Sequence, residues 1–356
     1  MTKYVAHVRV DGQPLYATYS FLGMSLTSLL SGAGGSWPQV QGAQAEYVRR
    51  PGTLATRQES QLRFLQRVGG LSVCRPAGQA LGVLFTEPVP GEALGDLLWR
   101  APARSGWLLQ HTVAALGPLH RPRLAEQPDA AGVVGERGIA TDFEHTFHGA
   151  ADALRLDRLV AAHHPQPVRL EAAAGLRVAV GRLRQARLAT LQSAHEVLLY
   201  GALAPGHILF PDSDRGRPVL LAPALCRGRA SGDAAQLISR IVLRLIATRP
   251  TALDATRILD GIEAFAEQQL AQRSAKAARS WQCEVLSCWL MDTALVLRRV
   301  LLAPSGLPLP EPAQALAGQP LAACRLLEWA SAVLLHQADI PVAWHGVLTA
   351  VREAVT

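Results

Sequence analysis

The sequence predicts an α+β protein of two lobes, a small β-rich one followed by a large helical one. Three observations carry this. Residues 4–20 alternate apolar and polar side chains across an Asp-Gly turn, and from about residue 93 the apolar spacing becomes that of helices. Only three short apolar runs, 197–200, 207–210 and 218–221, interrupt the helical pattern. The chain has 356 residues, 49% of them hydrophobic, which is enough for a sizeable core.

The small lobe reads as residues 1–92. YVAHVRV (4–10) and PLYATYS (14–20) flank Asp11-Gly12, the strongest short-range signal for a β-hairpin. SGAGGS (31–36) reads as a flexible surface loop. Leu54, Leu62, Phe64, Leu65 and Val68 place one amphipathic helix over 53–68. LSVCRPAG and ALGVLFTEPV read as two strands, and VPGEALGDLLWR as a turn entering a helix, with a hinge at about 84–92. The large lobe, 93–356, has helical periodicity around 106–120, 151–164, 168–196, 233–248, 253–273, 277–302 and 320–337. HPQP (164–167) and APSGLPLPEP (303–312) read as loops.

Charge and cysteine content narrow the function classes. The net charge is +7 and only Lys3 and Lys276 are lysines. The arginines are scattered, without the basic runs or interleaved aromatics of nucleic-acid binders, so no nucleic-acid partner is expected, although acidic or phosphorylated partners suit the charge. The Ala-, Arg- and Gly-rich composition fits a GC-rich genome of actinobacterial type. Cys74, Cys226, Cys283, Cys288 and Cys324 are too few and too irregular for a disulfide framework, and Cys283 and Cys288 lack CxxC spacing. The N-terminus has no apolar signal core and no apolar run is of spanning length, so a cytoplasmic protein without a membrane partner is expected.

The densest motif is residues 198–225, LLYGALAPGHILFPDSDRGRPVLLAPAL. Together with the connector GVLFTEPVPGEAL and with TVAALGPLHRP (112–122), it resembles the aminoglycoside phosphotransferase and choline kinase branch of the protein-kinase-like fold. That family carries H-G-D-x-x-x-x-N, a strand, a Gly-rich turn and a second strand ending in Asp-Pro; here the counterparts are YGALAPGH, ILF, DSDRGRP, VLL and AP. The resemblance implies a bilobal kinase-like fold and assigns five positions. The catalytic Asp falls at Ala202, the metal-binding Asn at His207, the metal-binding Asp at Ala222, the phosphate-pairing Lys at Thr18 and its Glu partner at Gln58, with Glu59 as its substitute if the helix register shifts by one. It places a nucleotide at the connector, against Glu87 and Val89.

Phosphoryl transfer needs metal ions on the phosphates, a lysine beside them and a carboxylate at the attacking hydroxyl. None of the five positions has kept its group, while Gly201, Leu203, Pro205, Gly206 and Pro223 keep the frame. The reading is a degenerate, pseudokinase-like member acting as a binding, scaffolding or regulatory module. Its expected partners are a peptide, a natural-product intermediate or an active phosphotransferase. No cofactor is expected, with ATP binding open without Mg²⁺.

The alternative is an enzyme on the same fold. It is either a divergent phosphotransferase or a cleft turned to other chemistry through His145, His148 or His207. In TDFEHTFHGA (141–150), His145 and His148 are three apart and with Glu144 could hold a metal; the plainer reading is a solvated surface cluster. His120 is expected to be structural, Asp233 to cap a helix, and Trp281, Trp289, Trp329 and Trp344 to form core or a docking face.

Overall fold

The computed structural model describes residues 4–19, 36–50, 52–126, 133–135, 137–148, 156, 160, 166–190, 196–201, 203–211, 216–303, 316–336 and 339–355. Most of the helix expected over 151–164, nearly all of the 303–312 loop and all of SGAGGS but Ser36 lie outside them.

Tight turns build the small lobe. β1 (Tyr4–Val10) and β2 (Gln13–Tyr19) close around Asp11 and Gly12, whose φ values of 50° and 79° are the left-handed pair that Asp-Gly adopts readily. β3 (Pro76–Ala80) and β4 (Val83–Thr86) close likewise around Leu81 and Gly82, at 51° and 76°. The sheet is antiparallel in the order β1-β2-β4-β3, with Thr18 opposite Leu84. LSVC, expected to begin a strand, joins only by a single bridge at Val73.

Two helices, not one, accompany this sheet. α1 (Trp37–Tyr47) begins at Ser36, whose backbone N–H donates to Gln39 Oε1 at 2.7 Å. Its other end is fixed where the Tyr47 hydroxyl accepts from the Leu54 N–H at 2.6 Å, at the start of α2 (Leu54–Gln66). The sequence of α1 hides it, because glutamine, alanine and glycine fill most of its length and leave no periodic apolar stripe.

α2 follows its expected pattern, but it serves both lobes. Leu62 packs with Ala55, Cys74 and Leu84 in the small core, while Phe64 and Leu65 belong to the large one. The chain beyond α2 also crosses over: Leu220 N–H donates to Ser72 O (3.0 Å) and Cys74 N–H to Leu220 O (3.1 Å). A boundary at residue 92 therefore divides the sequence without dividing the packing. At the connector, Gly91 has φ 125°, and a Cβ there would collide with the Phe210 backbone. That close approach lets β5 (Glu92–Ala93) pair with β7 (Ile208–Phe210), which pairs in turn with β8 (Val219–Leu220).

The large lobe contains α3 (Leu94–Arg100), α4 (Ser105–Ala115), α5 (Pro122–Ala125), α6 (Ile139–Thr146) and α7 (Pro167–Thr190). β6 (Val197–Leu199) pairs with β9 (Cys226–Gly228). α8 (Ser231–Thr248), α9 (Ala252–Ala271), α10 (Ala275–Leu302), α11 (Pro320–His336) and α12 (Ile340–Val355) complete it. α8 is the central post, with 14 of its 18 residues buried. α4 ends at Ala115, so the Leu119-His120 pair lies in the turns beyond it and not at the helix end. α12 is a helix that the sequence pattern did not flag: Pro341 reads as a breaker, yet it stands in the first turn, where no intrahelical N–H bond is lost.

Trp281, Trp289 and Trp344 interlock with Phe265, ring centroids 6.2–6.4 Å apart, and are core; Trp329 is 44% exposed. Among the described residues no helix is long and apolar enough to cross a membrane. All five cysteines are free, and Cys74, Cys226 and Cys324 are buried.

Two predictions follow from these backbones and burials. Leu81 is 76% exposed and strained at φ 51°, so Leu81→Asn should stabilise the protein by about 0.5–1 kcal/mol in urea unfolding. Burial pushes the Cys324 thiol up to about 12, so alkylation at pH 8 should spare it in the native protein and reach the half-buried Cys283 and Cys288 first, as peptide mass mapping would read.

Candidate functional site

The loop between β6 and β7 is held by its backbone. Tyr200 N–H donates to Asp233 Oδ2 (3.0 Å) and Gly201 N–H to Asp233 Oδ1 (3.2 Å). His120 Nε2 bonds the same Oδ2 at 2.9 Å. Leu203 N–H donates to Gln236 Oε1 at 2.7 Å, one turn further along α8. Asp233 is 1% exposed, and a buried carboxylate needs this density of donors. Its role is a correction: it does not cap α8, whose N-cap is Ala230 with no side-chain bond, but tethers the loop. His120 is structural as expected, through that tether.

Gly201 is required by the same geometry. Its φ is +77°, and a Cβ would collide with the Ala224 carbonyl. Opposite, Ala224 N–H donates to Tyr200 O at 3.0 Å. Tyr200 is fully buried, and burial, with Cys74 and Asp233 adding to it, raises its phenol well above the ordinary value, so it stays neutral. Its hydroxyl has no partner among the described residues.

The structure brings His207 and Ala222 together. Leu221 N–H donates to His207 O at 2.8 Å, in the β7–β8 register that pairs Ile208 with Leu220. His207 is half-buried at the end of a 3-10 turn. Ala222 has φ +53°, a left-handed conformation that L residues seldom adopt and that asparagine and aspartate tolerate best. An alanine there carries more strain than either of those residues would.

The remaining expected positions are spread across the small lobe and connector. Thr18 is half-buried on β2, and Gln58 is 4% exposed on the inward face of α2. Glu59 pairs with Arg63 on its own helix at 2.6 Å. Glu87 is exposed and its N–H donates to Arg75 O at 2.9 Å, while Val89 packs against the small core. Ala202 lies outside the described residues.

The metal trio is not assembled. Glu144, His145 and His148 are all exposed around the end of α6, and among the described residues no three His, Cys, Asp or Glu side chains are grouped to hold an ion. What sequence reasoning missed is the second partner of the loop, Gln236. Its spacing of three from Asp233 was the available signal, since both then face the same loop.

No family model matches the chain, and no curated protein matches it. Solved structures similar to it include an ethanolamine kinase of Plasmodium vivax, at 10% identity and a TM-score of 0.41, covering 83% of this chain and 70% of that one. A second is the macrolide 2'-phosphotransferase MphH of Brachybacterium faecium, at 16% and 0.36, covering 95% and 93%. A third is APH(2")-IIa with gentamicin, at 10% and 0.39, covering 93% and 87%. At such identities none of them carries an activity over to this chain.

The tether and the strained alanine each give a test. Asp233→Ala leaves two backbone N–H groups and His120 without their acceptor, and should cost about 3 kcal/mol or more by chemical denaturation. Ala222→Asn should stabilise by about 0.5–1 kcal/mol in the same assay, whereas an alanine in an ordinary backbone conformation gains nothing from that change.

Proposed function

We propose that this chain is a catalytically impaired kinase-like protein that works as a binding, scaffolding or regulatory module in the cytoplasm. The observation that carries the reading is the state of the β7–β8 junction. Its hydrogen bonds hold His207 beside Ala222, a left-handed turn at which the side chain is a methyl group with no oxygen for a metal ion. Among the described cleft positions, Thr18, Gln58, His207 and Ala222 supply neither a carboxylate nor a lysine. These four positions therefore offer no carboxylate to hold Mg²⁺ on a triphosphate or to orient an attacking hydroxyl.

The partner in this reading is a peptide, a natural-product intermediate or an active phosphotransferase, and the composition suits an actinobacterial setting. A second reading, chemistry other than phosphoryl transfer, rests on His207, because His145 and His148 stand on the surface and belong to no grouping of metal ligands among the described residues.

A thermal-shift titration with ATP, with and without Mg²⁺, tests the proposal. A ligand at 100 times its dissociation constant stabilises by about 2.7 kcal/mol, a readily measured shift. No shift, or a shift with ATP alone, is the expected result. A shift that requires Mg²⁺ would overturn it. Ala222→Asp alone should leave the protein without phosphotransferase turnover, because the other groups are also missing; measurable turnover would count against the reading.

A further inference from the structure

Away from the loop, α4 and α9 cross at two glycines. A Cβ on Gly261 would stand 2.5 Å from Ser105 Cβ and 2.7 Å from Gly106 N, so the helices touch there through backbone. Beside the crossing they leave an open groove of about 560 Å³, inside the roughly 300–1,000 Å³ typical of small-molecule sites. Its larger side chains are Trp107, Gln110 and His111 from α4, and Arg257, Asp260 and Gln268 from α9.

The charges of this groove are not balanced. Asp260 is held by Arg352 of α12 at 2.7 Å, so its carboxylate is already matched. Arg257 reaches Asp254 only at 3.9 Å and keeps 47% of its side chain exposed, while Asp254 also accepts from the Thr251 hydroxyl at 2.7 Å. Arg104 sits 4.9 Å over the Trp107 ring, and the His111 ring lies 3.9 Å from that ring. Gln110 Oε1 accepts from Gln269 at 2.9 Å, which leaves its amide N–H₂ as a donor. Cations and amide donors thus flank an aromatic surface on which the lone lining carboxylate is already engaged.

We propose that this groove binds a small aromatic anion, with Arg257 pairing with the anionic group and the exposed ring of His111, backed by Trp107, giving the flat contact. The chemistry fits that class on three counts. A guanidinium pairs with carboxylate or sulfonate in a planar, charge-assisted geometry. Indole and imidazole supply the ring surface. A cationic ligand would find only a carboxylate that already has its arginine. The site is separate from the loop; Trp107 lies between them, its ring 6.1 Å from that of Phe210 on β7.

The test uses 8-anilinonaphthalene-1-sulfonate, an aromatic anion that brightens in an apolar site, with the full chain. Ala264 is exposed and lines the groove, so Ala264→Trp places a ring in it. Saturable binding of one dye per chain is expected, lost in Ala264→Trp and about tenfold weaker in Arg257→Gln, the scale of one charge-assisted bond, with circular dichroism and Tm unchanged in both. No saturable binding, or binding that Ala264→Trp leaves intact, would overturn the site. Loss in Ala264→Trp with Arg257→Gln unchanged would overturn the anion selectivity. The ATP titration reads the cleft between the lobes, so the two proposals fail separately.

Discussion

Asp233 is a charge placed where water cannot reach it, and much of the large lobe is arranged around satisfying it. Its carboxylate takes the amides of Tyr200 and Gly201 and a ring nitrogen of His120, and so joins α8 to two segments that lie 32 and 113 residues away in sequence. With the Tyr200 and Gly201 amides fixed, the chain must turn sharply, and only glycine fits beside the Ala224 carbonyl. The bond from Ala224 back to Tyr200 then sets where the strand after the turn returns. Each step is a backbone constraint, indifferent to which side chains stand at the loop's outer positions.

Burial adds to these backbone constraints. Gly201, Leu203 and the residues of β7 and β8 are held by burial and backbone bonding, so losing them costs stability. Ala222 retains the positive φ imposed by its neighbours and carries the strain of an alanine there. The strain is small, and the surrounding hydrogen bonds hold it.

The two lobes are joined by more than their connector. α2 presents Leu62 to one core and Phe64 and Leu65 to the other, and the Ser72–Cys74 stretch hydrogen-bonds to β8 of the large lobe. Gln61 Nε2 adds a buried bond to Val133 O at 2.9 Å. In consequence α2 is placed by the large lobe as much as by the sheet it accompanies. A binding surface built across the cleft would therefore be preformed, which lowers the entropic cost of association.

Legible in the residues alone were the hairpin at Asp11-Gly12, the amphipathic register of α2, most of the long helices, and the outline of the loop between β6 and β7. These are local properties, written in turn residues, apolar period and residue identity. It did not reveal α1, whose glutamines and alanines carry no stripe, or α12, whose proline sits where a proline is harmless. The role of Asp233 was hidden too, since a carboxylate three residues into a helix reads as a cap until the distant amides it accepts are placed against it. Likewise the pairing of Glu59 with Arg63 and the groove between α4 and α9 came only from the tertiary structure. Each depends on which segments meet across many tens of residues, and non-local packing of that kind leaves no periodic trace in the chain.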